Sequence, residues 1–496
     1  MSEPDDKQSA RELIAKYALE HFEYFRTPDG TPYAQRAGHP VARPMKSQGV
    51  AGSHRQELML DMFHEGLGVF SGTAMKEALD LIEALTLRGE LREVSLRVAR
   101  CSATPGVTWL DLGRDDGQSV RIAPGGWEVR TPKVHEVVWR RTQLTGELPI
   151  PESGHGLAGI DRLWGLCNFS DAESSALAVA WLLGCLDPTV PVPAPFLTGP
   201  QGAGKSTSAR MLTRVIEGMS ADLRRAPKDE DGLITAVAAG WITPLDNLSH
   251  LSADMSDLMC CIVTGAETLK RALYTDGDVH RSRYRRPLLL TGIDVGVIRP
   301  DLGERLLHLK LERPERRRPE ADLWADFADA LPAILGGVLD LAAEARTQQV
   351  ETPTDLRMAD FAHLCSQFDH VHHLGAVAAY RASLDDLTDD VIEGDVLAQT
   401  VLQYAATMGT APAQQSSTAW LDIFTRLYSG SSEDSAYRPV PKGWPTTGKV
   451  LSDRLKRLQP TLAARGVIVE WGRRSRQEDP GRSRFIEITS KPTARL

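Results

Sequence analysis

One short stretch restricts this chain more than any other. Residues Gly199–Ser206 read Gly-Pro-Gln-Gly-Ala-Gly-Lys-Ser, the G-x-x-x-x-G-K-S spacing of a phosphate-binding loop, or P-loop. Phe196 and Leu197 before it suit a short apolar strand, and STSARMLTRVIEG after it suits a helix. Between the two, backbone N–H groups must point inward at phosphate oxygens. Gly199, Gly202 and Gly204 permit the dihedrals and the close approach that this needs. Pro200, Gln201 and Ala203 fill the remaining loop positions. Lys205 brings a positive charge to the β and γ phosphates, and the Ser206 hydroxyl is a ligand for Mg²⁺. Thr207 follows in the first turn of a helix whose positive end faces the anion. The expectation is an ATP and Mg²⁺ site over Gly199–Thr207 on an α/β core. The loop alone does not separate kinases, GTPases, motor ATPases and switches.

The residues that follow narrow the choice. A carboxylate ending a second strand would hold hydrated Mg²⁺, and GWITPLDNLS supplies Asp246 there, although Pro244 interrupts the expected strand. Proline also crowds TVPVPAPF, which puts the start of the first strand at Pro195. Further on, RRPLLLTGID is a buried-strand run ending in Thr291, a polar group able to sense a γ-phosphate or position water. Arg299 and Arg305 then stand in RPDLGERLLHLKLERP. An arginine reaching a neighbouring subunit's γ-phosphate would complete the charge stabilisation of phosphoryl transfer.

The chain has 496 residues, enough for roughly three or four domains. Its six cysteines (101, 167, 185, 260, 261 and 365) contain no C-x-x-C pair, which argues against a disulfide framework or zinc ribbon and fits a reducing cytoplasm. The acidic start MSEPDDKQSARELI is no secretory signal, and the longest apolar run, Ala176 to Leu186, is too short for a membrane span. From Lys449 onward twelve Lys/Arg stand against five Asp/Glu, so this end carries +7 while the whole chain carries −9. A basic end on an acidic body points to a localised nucleic-acid site.

Residues 1–155 read as an N-terminal α+β domain. Residues 7–25 look helical, Thr73–Leu87 carries a helical stripe (Ala74, Ala78, Leu81, Ile82, Leu85), and short strands lie in LREVSLRVARC, TWLDLG, SVRIAP and GWEVR. No catalytic constellation is visible there. Residues 156–314 form the α/β core, whose first helix opens on a capping box at Ser170–Glu173. A helical segment spans 315–410. It holds His363, Cys365, His370, His372 and His373, without the compact spacing of a zinc finger. A compact basic unit fills 411–496.

The ordered motifs GPQGAGKST, PKDEDGL, LDNLS, RALYTDGD, RRPLLLTGID and RPDLGERLLHLKL resemble the AAA+ core of superfamily 3 helicases. They are closer still to the primase–helicase ATPases of phages and mobile elements in actinobacterial genomes. The resembling stretch runs from about Leu163 to Pro314. It implies a P-loop AAA+ ring, a homo-hexamer, that translocates on DNA. Lys205 would be the P-loop lysine, Asp246 the Mg²⁺ carboxylate, Thr291 the sensor and Arg305 the arginine finger. Two departures bear on turnover. Thr291 stands where the family usually has Asn, and Asn247 stands where many relatives have a second acid. Asn cannot be a general base, and the nearest acids in motif order are Asp229, Glu230 and Asp231.

Two places are expected to meet DNA. TLKRALYTDGDVHRSRYRRP reads as a β-hairpin turning at Asp276–Gly277. Its Lys270, Arg271 and Arg281 would track a single strand in the ring channel. The C-terminal unit reads helix, helix, then two strands, resembling a winged helix for duplex DNA. Leu451, Leu455, Leu458 and Leu462 form the buried stripe of its second helix, which Pro460 should bend or end. Arg454, Lys456, Arg457, Arg473, Arg474 and Arg476 would lie on phosphates. Priming is left to another protein, a separate primase or polymerase. The alternative reading is an ATP-gated DNA-binding regulator or loader that unwinds nothing.

Overall fold

The computed structural model describes residues 9–45, 53–101, 103–248, 251–265, 267–271, 279–292, 299–408, 411–430, 438–473 and 483–491. The chain divides into two compact units. One comprises Met1–Leu248, Leu258–Ile293 and Leu309–Tyr380; the other comprises Ser249–Asp257, Asp294–His308 and Arg381–Leu496.

In the first unit, α1 (Ala10–His21) opens on a capping box between Ser9 and Glu12. It runs directly into β1 (Phe22–Arg26), so the helix expected over 7–25 stops four residues early. Phe22, Tyr24 and Phe25 prefer the pleat, and they gain a partner in β2 (Pro32–Arg36). β3 (Val41–Pro44) adds antiparallel to β2. Then come α2 (His54–His64) and α3 (Gly72–Thr86). The stripe that α3 buries is Met75, Ala78, Ile82 and Thr86, while Leu81 and Leu85 are about half exposed. Only one narrow face meets the core built with Ile14, Ala18, Leu58 and Met62. The antiparallel meander β4 (Val98–Arg100), β5 (Thr108–Asp111), β6 (Ser119–Ala123) and β7 (Gly126–Arg130) follows the alternation read in the sequence. β8 (Trp139–Arg140) returns to pair with β3.

His54 gives this region a pH dependence. It is buried with its Nε2 2.9 Å from the Tyr24 hydroxyl and its Nδ1 unpartnered. Burial, then the charges of Arg43 and Arg36, push its pKa down to about 4, against about 6.5 for a free imidazole. Between these values the unfolded chain binds a proton that the folded chain refuses, so stability is full above the upper value and falls as pH drops through the window. The expected loss is about 3 kcal/mol between pH 7.5 and pH 4. Urea unfolding of wild type and His54→Gln at several pH values checks this: the variant should lack that slope.

The central region supplies α4 (Gly156–Trp164), α5 (Ala172–Cys185), β9 (Ala194–Thr198), α6 (Lys205–Glu217), β10 (Arg224–Arg225), α7 (Glu230–Ala239) and β11 (Thr243–Leu248). It continues with α8 (Ala253–Thr264), β12 (Glu267–Arg271), β13 (Val279–Arg283), β14 (Leu288–Gly292), α9 (Pro300–Gly303) and β15 (Leu306–Lys310). The five-stranded sheet has the order β10-β11-β14-β9-β15, with β10, β11, β14 and β9 mutually parallel. Helix α5 is buried on nearly every face. Its cap is Asp171, whose carboxylate accepts from the Ser174 amide at 2.7 Å, while Ser170 only donates to Asp171. In place of the capping box expected at Ser170, a single cap stands one residue on, since an Asp in that place reaches the free amide directly. Pro244 does not interrupt β11. The Thr243 amide donates to Pro287 on the β14 side, so the next nitrogen faces the other edge, where β10 begins only at the level of Leu245.

Helices α10 (Glu320–Ala345), α11 (Ala359–His372), α12 (Ala376–Gly394) and α13 (Val396–Thr407) occupy the helical segment. Among the described residues, no helix is long and apolar enough to cross a membrane. In the second unit, β16 (Ala413–Gln415), α14 (Ser417–Ser429), α15 (Gly448–Ala464), β17 (Val467–Arg473) and β18 (Arg484–Ser490) complete the chain. Trp420, Phe424, Val469 and Ile488 close over the buried Leu451, Leu455, Leu458 and Leu462. α15 continues through Pro460 to Ala464. Pro460 and Lys456 one turn earlier are both exposed, so water serves the carbonyl that the proline cannot bond.

Candidate functional site

β9 ends buried at Thr198, and the chain then turns through glycines before α6 begins at Lys205. Gly199, Gly202 and Gly204 have φ of 145°, 83° and 82°, which L side chains rarely adopt. Space excludes a side chain as well. A Cβ on Gly199 would lie 2.3 Å from the Leu311 carbonyl, and one on Gly204 would lie 2.9 Å from Asn168 Nδ2. Lys205 folds back over the turn, its ammonium donating to the carbonyls of Gly199 at 2.7 Å and Pro200 at 3.1 Å.

One turn into α6 lies a cluster of oxygens. The Ser206 hydroxyl donates to Asp246 Oδ1 at 2.9 Å, and the Thr291 hydroxyl donates to the same oxygen. Thr291 also accepts from the Asn247 amide at 2.9 Å. The β11–β14 register shifts between Leu245 and Leu248, and Asn247 sits there at φ 58°, a conformation that asparagine tolerates better than most residues. Such an irregularity re-aims a side chain at the end of a strand; here the side chain is Asp246, brought to Ser206. Thus Gly199–Thr207, Asp246, Asn247 and Thr291 come together. The donor set is hard oxygen from a hydroxyl and a carboxylate, the chemistry Mg²⁺ prefers, and the glycine turn is a cradle that a Cβ would fill. These residues fit a magnesium-bound nucleotide.

Three holding residues escaped the sequence reading. Asn168 Nδ2 donates to the Ala203 carbonyl at 3.2 Å, and Arg313 Nε donates to the Gln201 carbonyl at 2.9 Å. The Leu311 amide donates to Thr198 at 2.9 Å. Together they brace the turn from outside. The only signal available was position, since Asn168 and Arg313 flank the core motifs. Behind the turn, burial pushes the Cys167 thiol up to about 12 against the opposing effect of Ser208, so it stays a thiol.

The remaining expected residues have the following partners and positions within their own units. Asp229 caps α7, accepting from the Gly232 amide at 2.8 Å. In the second unit, Arg305 pairs with Asp301 at 2.9 Å, and Arg299 pairs with Asp257 at 2.7 Å. Lys270 and Arg271 fall on β12 and Arg281 on β13, two antiparallel strands with Arg271 opposite Val279. The turn expected at Asp276–Gly277 lies outside the described residues. Arg454 is committed internally, donating to Gly443 and to Asp395, the cap of α13. Lys456, Arg457 and Arg473 are exposed on the C-terminal unit, and Arg473 stands opposite the exposed Arg484. Arg474 and Arg476 lie outside the described residues.

Residues 160–390 match the family described as actinomycete integrative conjugative element (AICE) replication protein. Residues 11–88 match the AICE Reps-like N-terminal domain, and residues 397–495 match the AICE RepA C-terminal domain. The chain is thus similar, over these three stretches, to the AICE replication proteins. That agrees with the mobile-element side of the resemblance carried by its motifs. Residues 89–159 lie between the N-terminal and the central matched stretches. No curated protein matches the chain. Among solved structures, the apo NrS-1 C-terminal region (305–718) is 12% identical, covering 97% of this chain and 100% of that one at a TM-score of 0.42. A JCV helicase bound to a thiazolopyridine compound is 11% identical, covering 45% of this chain and 66% of that one at a TM-score of 0.21. Similarity at these scores carries no functional weight.

Proposed function

We propose that this chain is a replication protein of the AICE kind and an ATP- and Mg²⁺-dependent P-loop ATPase of the AAA+ superfamily 3 kind, a ring, homo-hexameric, that translocates on DNA as a replicative helicase. The observation that carries the reading is the cluster of Lys205, Ser206, Asp246 and Thr291 around a glycine turn in which Gly199 admits no side chain. Bound Mg²⁺ supplies charge neutralisation of the triphosphate. The turn's amides and Lys205 hold phosphate oxygens, Ser206 and Asp246 orient toward the cation, and Asn247 with Thr291 positions water. Arg305 reaches a neighbouring subunit's nucleotide after leaving Asp301.

The C-terminal unit, two helices followed by a basic strand pair, is read as a winged helix. Arg457, Arg473 and Arg484 are among its exposed cations. If they meet phosphates, Arg473→Ala should weaken binding to any sequence and reduce the salt slope by about 1. Fluorescence anisotropy across a salt series reads both. An unchanged slope removes Arg473 from the interface.

A second reading is favoured by Asn247, which cannot act as a base, and by Asp229, whose carboxylate is engaged in capping. It holds that nucleotide gates DNA binding without unwinding. ATPase and strand-displacement assays separate the two. Unwinding that vanishes in Asp246→Asn supports the helicase, and ATP-dependent binding without displacement supports the switch. An ATPase rate indifferent to single-stranded DNA, from a monomer by mass photometry, sinks the motor.

A further inference from the structure

Far from the glycine turn, at the other end of the same helix, lies an ion pair that no part of the mechanism uses. Arg97 and Glu217 are both buried, with side chains 1% and 6% exposed. Arg97 Nε donates to Glu217 Oε2 at 3.2 Å, and its terminal nitrogens donate to the carbonyls of Asp111 at 2.7 Å, Gly146 at 2.6 Å and Glu217 at 2.7 Å. Every arm of the guanidinium is therefore engaged, and Arg97 is held at φ 34°, a conformation that needs surrounding structure to maintain it. Glu217 is the last residue of α6. Its other carboxylate oxygen accepts from the Ile242 amide at 2.7 Å, immediately before β11 begins at Thr243.

One carboxylate thus ties together the far ends of the two elements that carry the site. α6 begins with Lys205 and Ser206, and β11 ends at Asp246 and Asn247. Arg97 joins that tie to the N-terminal meander, where the Asp111 amide donates back to the Arg97 carbonyl at 2.7 Å. The segment between the meander and α4 takes part too: the Gly146 amide donates to the Glu217 carbonyl at 3.1 Å, and the Thr142 hydroxyl donates to Ala239 at 2.6 Å.

We infer that Arg97, acting through Glu217, is a positioning residue of the nucleotide site, and that residues 96–112 and 142–148 are the brace by which the N-terminal region sets the distance between Ser206 and Asp246. A purely structural pair would lower the melting temperature and leave ligand discrimination alone. A brace acts on the one interaction that spans α6 and β11, the Mg²⁺-dependent part of nucleotide binding, because Lys205 and the glycine turn sit on one side of that span and Asp246 on the other.

The inference rests on the MgATP reading, and its test separates the two. A fluorescent ATP analogue is titrated with Mg²⁺ and with EDTA against wild type, Lys205→Ala, Glu217→Gln and Arg97→Lys, each checked by thermal melting. Glu217→Gln keeps the shape and turns one oxygen into a donor facing Arg97. It is expected to bind the analogue in EDTA within about twofold of wild type and to lose about tenfold of the gain that Mg²⁺ brings, a size usual for coupling between two distant sites. Arg97→Lys, which keeps the charge but not the fork, should fall between.

Hydrogen exchange on the wild-type chain needs no variant to fold. By reciprocity, Mg²⁺-nucleotide should slow exchange at 96–112 and 142–148 as well as at the turn, and Lys205→Ala should abolish both effects. Protection of 199–207 with no change at 96–112 and 142–148 overturns the brace while leaving the nucleotide site standing. No binding by wild type overturns both.

Discussion

Replacing Lys205 with alanine is expected to cut ATP turnover by about 10²–10³-fold, the usual cost of removing one preorganised charge from a phosphate site. The fold should survive. Lys205 is only half-buried, and its ammonium bonds are to carbonyls at the turn, on Gly199 and Pro200, which water can serve in its absence. The melting temperature should therefore stay within a degree or two while turnover collapses. Lys205→Arg should not rescue it, because a planar fork does not replace a compact ammonium between two phosphates. A malachite-green phosphate assay beside a thermal melt checks both halves. Turnover within twofold of wild type would remove Lys205 from the site.

Glu217→Ala is expected to have the largest effect on stability. It leaves the Arg97 charge buried without its carboxylate and strips the Ile242 amide of its acceptor. Breaking a buried pair in this way costs about 3–5 kcal/mol, and for a chain of this size that lowers the melting temperature by about 3–5 °C. The comparison with Lys205→Ala is informative because the two residues sit at opposite ends of one helix, α6. One change should remove turnover and spare stability, and the other should cost stability first. Urea unfolding followed by tryptophan fluorescence gives the number. A loss below about 1 kcal/mol would mean that the pair is worth no more than a surface one.

The legible features were those whose physics is local. The glycine turn, the strand before it and the helix after it lie within about two dozen residues, Ala194–Glu217, and the structure joins them as expected. Asp246 and Thr291 were legible because each ends an apolar run, and the structure sets both against one another. Where the reading slipped, a neighbour distant in sequence overrode a local preference. α1 ends at His21 because β2 offers Phe22 and Phe25 a ladder. α3 exposes Leu81 and Leu85 because its partner helices cover one narrow face. Pro244 and Pro460 are expected to break their elements, yet the Pro244 nitrogen faces an edge where no strand is paired, and the carbonyl that Pro460 leaves unbonded belongs to the exposed Lys456.

By itself, then, the sequence determined which residues can meet a phosphate and a divalent cation, because spacing along a strand, turn and helix is set by backbone sterics alone. It also determined the buried leucine stripe of α15 and the basic character of the C-terminal end. Only the tertiary structure decided how the turn is held, by Asn168, Arg313 and Leu311, and how the two halves of the cation site are tied together, by Glu217 and an arginine 120 residues before it. Pairs so far apart leave no periodicity or spacing in the chain, and burial without a partner is what forces them together.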